Sequence, residues 1–226
     1  MWVTSCESDP RNTVADREGA MAQGKLVGVG LAMTVVVALA VGVFLGTGAA
    51  APAPDTTGEW TLADVLAMSR DQIIDLWSAS PAPDFTAFKG HYMGLVPNAG
   101  DPERRASTDA TMFDEDSERG YWLGKAYMPT TTTTGECYNR WRFPGGKIVR
   151  NLRFGTEDGT SLIDGNPALL MYYGAFNEGN TLIDEIRQLS HDIFLGMGTR
   201  EAEDGGRSEP GHFVLIGPTD DWVGVD

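Results

Sequence analysis

Positive charge is scarce in this chain. Seventeen Lys and Arg stand against 32 Asp and Glu, a formal net charge of −15, which makes nucleic acid and anionic membrane surfaces poor partners for it. The acidity is spread out with no long acidic run, the pattern of a solvated surface. Cysteine is nearly missing: Cys6 and Cys137 fall on either side of a long apolar segment. If that segment crosses or is cut at a membrane, no internal disulfide forms and Cys137 is a lone thiol. The three histidines, His91, His191 and His212, lie far apart with no i, i+4 pairing, so no metal site is assigned. There is no Gly-x-Ser-x-Gly elbow, no P-loop and no dinucleotide fingerprint. Ser190-His191-Asp192 is contiguous, and neighbours on a strand point to opposite faces, so it is not a triad. No catalytic residue and no cofactor is assigned. Repeats of 20–50 residues and strand–helix alternation are also missing, which excludes a solenoid and disfavours a doubly wound α/β sheet.

What is present begins with an N-terminal address. Residues 1–24 are polar and aperiodic, and are expected to be a disordered cytoplasmic tail or an over-extended gene start, since Met21 reads as a start in its own right. Residues 25–50 hold a run, 26–45, whose only polar side chain is Thr34. Twenty residues at 1.5 Å each span roughly 30 Å, a bilayer core. Arg17 and Lys25 precede the run and acids follow it, which exports the C-terminal portion. A transmembrane anchor and a signal peptide cut near Ala51 fit equally. Residues 51–57 form an Ala-Pro linker, and a folded domain is expected over 58–226.

That domain opens with a helical segment, 61–80, broken at Met68 because Ser69-x-x-Gln72 is a capping box. Pro81 and Pro83 stop it. Phe88 to Pro97 is a β-prone run with Gly90 and Gly94 flanking Tyr92. Residues 98–120 are polar and are expected to be a long loop. Strand candidates then follow at 121–128, 136–143, 147–154, 168–173, 181–189, 192–197 and 211–216, separated by turns such as Pro144-Gly145-Gly146. Eight or so short strands after one helical pair predict an all-β, antiparallel barrel or sandwich.

The run from Leu76 to Pro97 resembles the start of bacterial lipocalin-like (calycin) proteins that carry a Gly-x-Trp-x-Gly motif, with Tyr92 in the Trp place between Gly90 and Gly94. Asp184-Glu185-Ile186-Arg187 followed by Phe194-Leu195-Gly196 resembles that family's acid-plus-Arg strand and short Leu-Gly strand. The resemblance implies a lipocalin-like β-barrel around a small apolar ligand.

In such a barrel Gly90 and Gly94 let the first strand coil, and Tyr92 plugs one end, with Arg187 as a candidate partner for its hydroxyl. Alternation puts Glu185 and Arg187 on one face and Asp184 on the other, so either a charged pair or Asp184 alone faces inward and needs a partner or a ligand head group. Tyr121, Trp122, Tyr138, Trp141, Tyr172, Tyr173 and Phe176 are expected to wall the cavity. Arg140, Arg142, Arg150 and Arg153 either pair with acids or cradle an acidic ligand. The expected function is an exported, membrane-tethered binding protein for a small hydrophobic or amphipathic molecule. The alternatives are a small barrel enzyme using Asp184, Glu185 or a His as acid or base, and an interaction domain presenting residues 98–120 to a protein partner.

Overall fold

The computed structural model describes residues 59–99 and 101–225; the calls on 1–24, 25–50 and 51–57 lie outside them. Among the described residues no helix is long and apolar enough to cross a membrane.

The described residues open with two short helices, α1 (Leu62–Ala67) and α2 (Arg70–Ala79). Both begin with a capping box: Thr61 with Asp64, then Ser69 with Gln72, so the orphan amides of each first turn are satisfied locally. Met68 between them is extended, which realises the break read at that position.

Eight strands follow: β1 (Gly90–Leu95), β2 (Tyr121–Pro129), β3 (Thr134–Phe143), β4 (Lys147–Thr160), β5 (Pro167–Tyr172), β6 (Ile183–Gln188), β7 (Ile193–Thr199) and β8 (Gly211–Asp220). Each pairs antiparallel with the next, and β8 pairs with β1, so the sheet closes into an up-and-down barrel without a free edge. The closed antiparallel barrel implied by the resemblance is the one observed.

Period-two alternation splits the apolar residues into two cores. One fills the barrel with Tyr92, Tyr127, Phe154, Met171, Ile186 and Phe194 among others. The second lies outside the wall: α1 and α2 bury Val65, Ile73, Leu76 and Trp77 on outward-facing Leu170, Leu195 and Val214 of β5, β7 and β8. Strands apolar on both faces, such as Ile193-Phe194-Leu195, are explained by this helical cover.

Residues 98–120 are not a long loop. Pro102–Met112 form a helix, α3. Its start carries the signals that build one: the Asp101 side chain accepts from the Arg104 N–H at 2.9 Å, Pro102 sits in the first turn and Glu103 follows. The apolar stripe was missing because α3 buries no residue. Strand β4 runs six residues past the span 147–154, since its second half has polar residues on the solvent side. The Thr130–Thr134 run is a tight turn in which the Thr130 and Thr131 amides donate to the Thr134 carbonyl.

Candidate functional site

The site is the barrel interior, and a bulge builds it. Trp122 pairs with Trp141 and Lys125 with Asn139, with a register shift between Trp122 and Gly124. Strict alternation puts positions 122 and 125 on opposite faces; the extra residue of the bulge turns both inward. Lys125 therefore enters an aromatic interior, and Asp184 of β6 meets it from across the barrel.

Lys125 Nζ donates to Asp184 Oδ2 at 2.8 Å and to Asn139 Oδ1 at 3.2 Å, and also to the Tyr173 hydroxyl. The Tyr173 hydroxyl donates to Asp184 Oδ2 and accepts from Asn139 Nδ2, each at 3.0 Å. Asn139 Oδ1 also accepts from Trp122 Nε1 at 3.1 Å. Lys125 and Asp184 side chains are 3% and 6% exposed, so the pair persists only because its hydrogen bonds are met. Four rings enclose the ammonium: Phe154, Tyr173, Phe213 and Trp122, with centroids at 4.9, 5.1, 5.1 and 5.7 Å, a cation–π enclosure. Burial, then the Asp184 charge, push the Tyr173 phenol well above its ordinary range.

Below this cluster the barrel is filled. Phe88 stacks on Tyr92 and meets Tyr127 tilted and Phe194 edge-on, with centroids 4.4 to 4.8 Å from its own, and the four rings close that end. Above it lies a cavity of about 540 Å³, lined by Trp122, Trp141, Tyr173 and Phe213 and floored by Lys125, Asn139 and Asp184. Arg104, Thr108 and Met112 of α3 lie over its mouth, with Arg119, Arg200 and His212 on the rim. His212 is held neutral, its pKa lowered to about 4, by burial and then by Arg104 and Arg70. Among the described residues no His, Cys, Asp and Glu group is arranged to hold a metal.

Of the expected site residues, Trp122, Trp141 and Asp184 line the cavity, and Tyr92 belongs to the aromatic plug. Tyr138, Tyr172, Glu185 and Arg187 do not line it. They sit at outward-facing strand positions, where alternation puts them opposite Asn139, Met171, Asp184 and Ile186. Tyr138 bonds His91 Nε2 at 2.8 Å beneath Trp222, so His91 is buried rather than solvated. Glu185 Oε1 accepts from the Leu162 N–H at 3.0 Å, and burial raises its carboxyl. Arg187 does not reach Tyr92: it lies 4.5 Å over the Trp77 ring, and donates to the Trp77 and Pro167 carbonyls and both Asp164 oxygens. Arg142 and Arg153 pair with Glu115 and Glu136 at 2.6 and 2.5 Å on the outer face. Sequence reasoning missed Lys125, Asn139 and Phe213; of its other aromatic candidates, Tyr173 lines the cavity and Tyr121 and Phe176 do not. A lone Lys inside an apolar strand, Ala126-Tyr127 beside it, was the available signal for the first.

The glycines flanking Tyr92 have local causes. Gly90 has φ +96, and a Cβ there would stand 2.6 Å from the Asp220 carbonyl oxygen. Gly94 lies against the Trp122 indole, 2.5 Å from an added Cβ.

No protein-family model matches the chain, and no curated protein does. Solved structures are similar to it. A crystal structure of a protein from Thermomonospora curvata is 17% identical, covering 69% of this chain and 94% of its own, with a TM-score of 0.46. Bovine odorant-binding protein in complex with undecanal is 12% identical, covering 62% of this chain and 77% of its own, with a TM-score of 0.33.

Proposed function

We propose that the barrel binds a small hydrophobic or amphipathic molecule, held between the aromatic wall and the Lys125–Asp184 floor. The observation that carries this is the cavity of about 540 Å³, a volume within the range of ligand sites, mostly apolar with a few fixed polar groups. Its apolar contacts come from Trp122, Trp141 and Phe213. Its head group meets the rim, where Arg104, Arg119 and Arg200 outnumber Glu118, so an acidic head is favoured over a basic one. Placement outside the cytoplasm, tethered or secreted through residues 25–50, is part of the proposal and rests on the apolar run and its flanking charges alone.

Native mass spectrometry of the full chain in amphipol, followed by organic extraction, tests the reading. Expected is a co-purified amphiphile displaced by decanol or decanoate, with a change in tryptophan emission from Trp122 and Trp141. Unchanged emission of the wild-type chain with every amphiphile tried, and no co-purified amphiphile, would overturn it.

A further inference from the structure

The cavity floor holds an amine where a simpler structural role would be served by a guanidinium. The sequence contains four lysines, Lys25, Lys89, Lys125 and Lys147, against thirteen arginines. Where this chain buries a cation outside the barrel it uses Arg187, whose fork meets both oxygens of the half-buried Asp164, the geometry that suits a carboxylate best. In the cavity it uses Lys125, which meets one oxygen of Asp184 and, unlike Arg187, is able to act as a nitrogen nucleophile.

We propose that Lys125 forms a covalent iminium with an aldehyde or ketone carried by the ligand, with Asp184 as its counter-ion. The inference rests on the reading of the cavity as a ligand site. In the step, the Lys125 ammonium gives a proton to Asp184 Oδ2, 2.8 Å away. The freed amine attacks the carbonyl carbon and forms the C–N bond, and the carbonyl oxygen becomes the hydroxyl of a carbinolamine as the nitrogen proton moves to it. Asp184 returns its proton to that hydroxyl, which leaves as water while the C=N bond forms. The product is one iminium, one carboxylate and one water; no oxidant or reductant takes part. The iminium keeps one N–H for Asp184 and keeps the four-ring enclosure, which favours the cation and limits hydrolysis by excluding water. The carbonyl therefore enters first, at the end of the ligand opposite the acidic head group that meets the arginine rim.

The full chain in amphipol is incubated with decanal and sodium cyanoborohydride, which reduces an iminium to a stable secondary amine, and the product is mapped by peptide mass spectrometry. Lys89 and Lys147 are exposed and act as internal controls. The expected result is one decyl group per chain, placed on Lys125 about tenfold faster than on the controls, because a bound aldehyde has a high effective concentration there. Decanol, which lacks the carbonyl, should block the label. Lys125→Arg should lose it. Should that variant not fold, the wild-type site map decides alone. If decanol binds and Lys125 stays unmodified, or is labelled no faster than Lys89 and Lys147, Lys125–Asp184 is a structural pair and the proposal is overturned while the ligand reading stands. If neither decanol nor decanal binds, both fall.

Discussion

Asp184 and Arg187, three residues apart on β6, stand on opposite faces of the barrel wall and each holds one half of an ion pair, buried inside and half-buried outside. Asp184 meets Lys125 inside at 2.8 Å, and Arg187 meets Asp164 outside at 2.6 Å. One strand thus locks both the interior floor and the helical cover.

The inner pair should behave as a unit. Asp184→Leu leaves the Lys125 charge buried without its counter-ion and should cost about 3–5 kcal/mol. Adding Lys125→Met to it should recover most of that loss, a coupling that a double-mutant cycle in urea measures. Additive losses would show that the two side chains do not depend on each other.

Arg187→Ala removes donors from the Trp77 and Pro167 carbonyls and from Asp164. Asp164 keeps some access to water, so the expected loss is about 2–4 kcal/mol. The guanidinium lies outside the wall, so the preference between decanoate and decanol should be unchanged. A loss confined to decanoate would contradict that placement.

Gly94→Val puts branches into the Trp122 indole, and Gly90→Val forces a β-branched residue to φ +96. Each should lower stability by roughly 1–3 kcal/mol or more. Melting temperatures equal to wild type would show that β1 has slack at both points.

Acid should unfold the domain in two windows. The folded pKa of His212 is lowered to about 4 from 6.5, so between those values the unfolded chain binds the extra proton and stability falls as pH drops from 6.5 towards 4. Asp164 is lowered to about 2 from 3.8, chiefly by the Arg187 hydrogen bonds; its contribution is full above 3.8 and is lost as pH falls through 2. His212→Gln should flatten the first window alone and Asp164→Asn the second. A single loss near pH 5 in all three proteins would contradict the assignment.

The turns and periods that define a barrel are local, and they were legible. The Ser69–Gln72 cap, the Pro144-Gly145-Gly146 turn and the Gly90/Gly94 spacing each fix backbone within a few residues, so strand number and order follow from them. Asp184 opposite Glu185 and Arg187 was legible as well, because alternation has a period of two; which face was inside was not, since both faces of β6 are buried. Lys125 was hidden for a different reason. Its direction depends on the bulge between Trp122 and Gly124, which exists only once β3 is paired alongside. Arg187 was misread because its partners, Trp77 and Asp164, come from an outer helix and a turn that no pattern within β6 announces.

Helix α3 buries no side chain, yet Arg104, Thr108 and Met112 face the cavity, and Arg105 ties the helix to the Val96 carbonyl at 3.0 Å. So little buried surface makes lifting it a local event, far below global unfolding in free energy. Passage of the proposed ligand through the mouth would then be clocked by the helix and not by the barrel. Uptake rates should level off as ligand concentration rises, at a ceiling equal to the opening rate, and Arg105→Ala should raise that ceiling while leaving the melting temperature nearly unmoved.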